Sequence, residues 1–277
     1  MKTILFPTDF SENARHALKY AALLANKLNA NMILLNIYSV PMVSEYLLPQ
    51  DIERFLEENK DNAIAKIEAF KKEFMAETNI PSERISTKVE YGFIPEKIVD
   101  TAKNLKADMI VMGTKGANNP LDRWLGTTAQ KVMKTAPCPV WIIPEKAPLN
   151  YPTEIMYAAD FKEDELTAMH TIMDITTALF AKSKVVHIHD YYELNVGHQI
   201  EAMVDYLEDK FENENVSFVH LKRADIIEGL EKYIKSHQPD VLAMAVHDKS
   251  LFSKLFDSSV TKHFVQESKL PLLIFRK

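Results

Sequence analysis

Ile4-Leu5-Phe6-Pro7-Thr8-Asp9-Phe10-Ser11-Glu12 recurs in outline as Ile155-Met156-Tyr157-Ala158-Ala159-Asp160-Phe161-Lys162-Glu163, at an offset of 151. Two more segments repeat in the same order. Asp108-Met109-Ile110-Val111-Met112 matches Asp240-Val241-Leu242-Ala243-Met244, and Pro139-Val140-Trp141-Ile142 matches Pro271-Leu272-Leu273-Ile274, both at an offset of 132. Three ordered matches identify a duplicated unit. The second copy is 19 residues shorter, and the loss falls where the first carries Leu47 to Thr78. Two domains follow, 1–146 and 152–277. The junction Pro144-Glu145-Lys146-Ala147-Pro148-Leu149-Asn150-Tyr151-Pro152 holds three prolines in nine residues, a short, semi-rigid linker.

Within the first copy, short apolar runs alternate with amphipathic stretches. Strands are predicted at Thr3–Pro7, Asn31–Ile37, Ile85–Tyr91, Met109–Met112 and Val140–Ile143. Helices are predicted at Ser11–Leu28, Pro49–Thr78, Pro95–Leu105 and Thr127–Thr135. Ser11 stands where an N-cap belongs, and Ala17, Tyr20, Ala21 and Leu24 form a stripe at helical spacing. Such alternation implies an α/β fold, with parallel strands joined by right-handed crossovers and helices on both faces.

Composition excludes several function classes. The 277 residues are 47% hydrophobic and 26% charged, as in ordinary globular domains. Net charge of −6 offers no basic face for nucleic acid. No apolar run reaches the roughly 18 residues of a membrane span. The opening run Ile4-Leu5-Phe6 is too short for a signal peptide. The single cysteine, Cys138, rules out an internal disulfide framework and suits a cytoplasmic protein; its surroundings suggest a buried strand start rather than a reactive thiol.

Three of the six glycines lie within fourteen residues: Gly113, Gly116 and Gly126. Gly113 ends the fourth strand behind Met112, and Gly126-Thr127-Thr128 opens a helix. Glycine at a strand end lets backbone approach a ligand closely. A helix start presents unpaired amides and a positive dipole end, a seat for phosphate. A loop that merely needs turns is the plainer alternative. The pattern is neither a Walker loop nor the Gly-x-Gly-x-x-Gly dinucleotide fingerprint.

Gly113-x2-Gly116-x9-Gly126-Thr127, followed by Ala136-Pro137-Cys138-Pro139-Val140, resembles the universal stress protein family, whose ATP-binding members carry Gly-x2-Gly-x9-Gly-Ser/Thr after the fourth strand. The opening Ile4 to Ser11 is similar to that family's first strand. The resemblance runs strongly through the first copy and weakly through the second. It implies two tandem doubly wound domains, each an open five-stranded parallel sheet in the order 3-2-1-4-5. Strands one and four would then flank the switch point where such sheets bind ligands.

By that resemblance Pro7, Thr8 and Asp9 stand at the end of strand one, where Asp9 contacts adenosine. Ile37 walls the adenine, Met112 and Gly113 face the ribose side, and Gly116, Gly126, Thr127 and Thr128 hold the phosphates. Asp9 capping the next helix is the alternative. The expected ligand is ATP with magnesium. Lys115 and Arg123 either offset phosphate charge or are solvated loop charges, and Trp124 packs the loop.

In the second copy Ala245, Asp248, Ser258 and Ser259 replace Gly113, Gly116, Gly126 and Thr127, with Asp257 alongside. Negative charge and added Cβ atoms would exclude phosphate there, and positive φ at a former glycine would cost about 1–3 kcal/mol. One nucleotide per chain is therefore expected. His187 and His189, with Asp160 and His247, could meet a metal near the vacated crevice, but backbone-bonded histidines are the simpler reading, and no metal site is assigned.

A binding module of stress response fits better than an enzyme. An adenylating enzyme needs a phosphate loop or paired histidines after strand one, which Pro7-Thr8-Asp9-Phe10-Ser11 lacks. No acid–base pair or triad stands near the motif, so hydrolysis is expected to be slow or nil, a slow ATPase remaining the alternative. The apolar last strands, Val140 to Ile143 and Leu272 to Phe275, are expected to pair the halves as an intramolecular pseudo-dimer; homodimers are a further option.

Overall fold

The computed structural model describes residues 2–38, 49–115, 125–161, 165–190, 202, 205–207, 209–211, 215–246 and 269–276. The chain divides into two compact units, Met1–Leu149 and Asn150–Lys277.

In the first unit β1 (Thr3–Pro7) leads to α1 (Glu12–Leu28), β2 (Asn31–Tyr38), α2 (Pro49–Glu77), β3 (Ile85–Tyr91), α3 (Ile94–Leu105), β4 (Met109–Gly113), α4 (Thr127–Thr135) and β5 (Val140–Ile143). The strands lie parallel in the order β3-β2-β1-β4-β5. Register is set centrally by Ile4 beside Met32 on one flank and Met109 on the other. Ile4, Leu5 and Phe6 are all fully buried, which requires cover on both sheet faces. Each such side chain contributes about 1.5–3 kcal/mol by leaving water.

Local chemistry sets the element ends. Ser11 caps α1, its Oγ accepting from the Ala14 amide at 3.2 Å. Asn29 closes the helix in the left-handed conformation. Between β1 and α1 the backbone reverses at Phe10, a non-glycine residue with φ of 65°. The second copy makes the same turn at the matching Phe161, with φ of 45°.

The second unit repeats the plan: β6 (Glu154–Ala159), α5 (Glu165–Leu179), β7 (Lys182–Asp190), β8 (Val216–Arg223), α6 (Ile226–His237), β9 (Val241–Val246) and β10 (Leu272–Arg276). Its strands are parallel in the order β8-β7-β6-β9-β10. This is the same 3-2-1-4-5 winding. Asp240 pins the start of β6 to that of β9. It accepts from the Thr153 amide and hydroxyl, each at 2.7 Å, and from the Glu154 amide at 3.0 Å. Burial alone would raise its pKa, but these donors outweigh burial and hold it below the usual aspartate value. Asp108 does the same in the first unit, accepting from the Thr3 amide at 2.7 Å.

Among the described residues no helix is long and apolar enough to cross a membrane. Cys138 is half-buried at the start of β5, and burial, with Asp108 nearby, pushes its thiol up to about 12. It stays protonated at neutral pH and is a poor nucleophile.

Candidate functional site

At the carboxyl ends of β1 and β4 the first unit opens a cleft of about 350 Å³. Nine of the ten residues expected at a nucleotide site line it: Pro7, Thr8, Asp9, Ile37, Met112, Gly113, Gly126, Thr127 and Thr128. The tenth, Gly116, lies outside the described residues, as do Arg123 and Trp124. Lys115 lines the cleft as well.

The β1 end is held rigidly. Thr8 donates its amide to the Leu35 carbonyl at 2.8 Å, and its own carbonyl accepts from Asn36 Nδ2 at 2.8 Å. Thr8 Oγ1 accepts from the Phe10 amide at 3.0 Å, which braces the left-handed turn. Asp9 Oδ1 accepts from both the amide and the hydroxyl of Ser11, at 3.1 and 2.7 Å. The helix-cap role considered for Asp9 is thus performed by Ser11, with Asp9 steadying it while exposed at the cleft.

Across the cleft, α4 begins at Gly126, which has no side chain to cap it. The Gln130 amide is the first to find a carbonyl within the helix, that of Gly126. The amides of Thr127, Thr128 and Ala129 precede it, the orphan donors of any helix start, and they carry the positive end of the dipole. Gly126 itself donates to the Thr114 carbonyl at 2.7 Å, which draws the two ends of the intervening loop together. These donors suit an anion.

Neither glycine is required by backbone torsion. Gly126 has φ of −69°, which any residue adopts, and Gly113 is outside the left-handed region. The positive-φ cost expected at former glycine positions therefore does not apply to the places of Gly113 and Gly126. A Cβ on Gly113 would instead lie 2.9 Å from Asn13 Nδ2.

Several lining residues gave no signal in the sequence: Ala14 on α1, Leu35 on β2, Ile94 and Ile98 on α3, Thr114, and Ala129 on α4. Ile94 and Ile98 add an apolar wall beside Ile37 and Met112, so one part of the cleft is greasy and another rich in amides. Among the described lining residues the only ionisable side chains are Asp9 and Lys115.

The second unit carries different groups at the matching positions. At the offset of 151 Glu165 stands where Ala14 lines the first cleft, and it is 2% exposed. Its Oε1 accepts from the hydroxyl of Tyr157, the counterpart of Phe6, at 2.7 Å. Burial, together with the Glu165 carboxylate, pushes the Tyr157 hydroxyl well above its ordinary pKa, so it remains a donor. His187 replaces Asn36 and keeps its task, Nδ1 donating to the Ala159 carbonyl at 2.9 Å. That is the backbone-bonded arrangement, and no metal-competent cluster occurs among the described residues. The His189 side chain and His247 lie outside them.

The Universal stress protein family model matches residues 1–144 and again 153–276. A universal stress protein of Synechocystis is 23% identical over 298 residues, covering both chains completely. One from Thermus aquaticus is 34% identical over 142 residues, 51% of this chain and 98% of its own length. The crystal structure of a universal stress protein from Archaeoglobus fulgidus has a TM-score of 0.68 at 14% identity, covering 99% of this chain and 98% of that one; the likeness is one of fold.

Proposed function

The chain belongs to the universal stress protein family, and from that premise we propose that its N-terminal half binds one ATP, with magnesium, as a regulatory module of the cytoplasmic stress response. The single observation that carries this is the cleft itself. It joins an apolar wall of Ile37, Met112, Ile94 and Ile98 to the uncapped start of α4. The wall suits a purine and the helix start suits phosphates. The C-terminal half binds none in this reading, which its replaced glycines and the buried carboxyl group of Glu165 at the Ala14 position support.

The module works by binding rather than by turnover. Hydrolysis needs a base that orients water, and the described lining residues supply only Asp9, one of whose oxygens is already held by Ser11. Purified protein is expected to carry or take up adenine nucleotide while releasing phosphate far below a typical enzyme rate of roughly 10 per second. Fast release that disappears on changing Asp9 would reverse this reading.

We further propose that the two halves pair through the edges of their last strands, β5 and β10. A parallel edge strand carries unpaired backbone groups that invite a partner, and a short linker holds the second copy at roughly millimolar effective concentration. X-ray scattering is expected to give a single compact particle. A profile of two independently tumbling domains would contradict it.

A further inference from the structure

From the geometry beside Gly113 we infer that Asn13, in the first turn of α1, is a positioning residue that fixes Thr114 and Lys115, behind β4, against the start of α4 for the polyphosphate end of the nucleotide. This rests on the nucleotide reading above and adds what sets their position. Asn13 Nδ2 donates to the Lys115 carbonyl at 2.8 Å and lies 3.3 Å from Thr114 Oγ1. The Thr114 carbonyl in turn accepts from the Gly126 amide at 2.7 Å. Both ends of the loop therefore meet at Thr114, and Asn13 ties that meeting point to α1.

Asn13 reaches the loop because Gly113 leaves it room. A Cβ on Gly113 would fall 2.9 Å from Nδ2 and 3.1 Å from Cγ, closer than packed atoms allow. Asn13 Oδ1 is buried there with no hydrogen-bond partner. Orphaning that oxygen has a cost, which the two-sided tie of Nδ2 offsets.

The chain contains its own comparison. At the positions matching Asn13 and Gly113, the second copy has Asp164 and Ala245. Aspartate has no N–H to give a carbonyl, and alanine supplies the Cβ that would crowd it. Donor and space are lost together in the half that also lacks the glycine motif.

The tie reaches Lys115 and, through Thr114, the start of α4, not the apolar wall. Its loss should therefore weaken a ligand in proportion to its phosphates. Calorimetric titration of the full chain with ATP and with adenosine tests this for wild type, Asn13→Ala and Asn13→Leu. Both variants are expected to lose roughly tenfold in ATP affinity, the scale of one buried hydrogen bond, and to bind adenosine within about twofold of wild type. Should Asn13→Ala fail to fold, Asn13→Leu, similar in size and uncharged, gives the same comparison. Equal loss of both ligands, or unchanged ATP affinity in either folded variant, overturns the inference. Wild type that binds no ATP overturns the nucleotide reading itself.

Discussion

Gly126→Asp is expected to abolish ATP binding while leaving the fold as stable as before. Gly126 has φ of −69° and ψ of 152°, an extended conformation open to any residue at an N-cap. Aspartate is a preferred residue there, because its carboxylate accepts from the second or third helical amide. The helix gains a cap, but the ligand loses those same amides. It also meets a negative charge, and two unit charges about 4 Å apart repel by about 4 kcal/mol at an effective dielectric of about 20. The expected outcome is at least a hundredfold loss in affinity with an unchanged or raised melting temperature. The matching change in the second copy, Ser258→Asp, should leave ATP affinity alone. Binding retained in Gly126→Asp, or lost equally in Ser258→Asp, would place the phosphates elsewhere.

Trp141→Ala is expected to give the largest loss of stability in the N-terminal half. Trp141 lies in β5, fully buried, with its ring 6.1 Å from that of Tyr20 on α1. Its removal leaves a cavity that the surrounding sheet and helix fill only in part, at a cost of about 3–5 kcal/mol. Trp141→Phe should cost clearly less than its lost volume suggests. The indole Nε1 is buried without a hydrogen-bond partner, so its removal also relieves an unsatisfied donor. Circular dichroism in denaturant follows the unfolding of the alanine variant. A midpoint close to wild type would show that the site repacks.

The strands were legible in local pattern, and the winding order and most of the cleft in the family resemblance. The repeat at an offset of 151 marks β1 and β6, and the Gly113 to Thr127 spacing marks the end of β4 and the start of α4. Ser11 was readable as an N-cap because capping chemistry is local. Ile94 and Ile98 were not readable as site residues, since a helical apolar stripe looks the same whether it faces core or cleft, and only the lie of α3 decides it. Asn13 was hidden for a similar reason. Its partners, Gly113 and Lys115, are a hundred residues away in sequence. Gly113 was singled out for the approach of a ligand, and the structure adds a second close neighbour, Asn13. The divergence of the second copy was half legible. The altered glycines were plain, whereas Glu165 and His187 acquire meaning only when laid over Ala14 and Asn36.

Calorimetric titration of the full chain with ATP and magnesium tests the central claim most directly. The expected result is saturable binding with a stoichiometry of one per chain, carried by the cleft between β1, β4 and α4. Two sites per chain would contradict the loss of the site from the second copy, and no binding at all would contradict the assignment of the first.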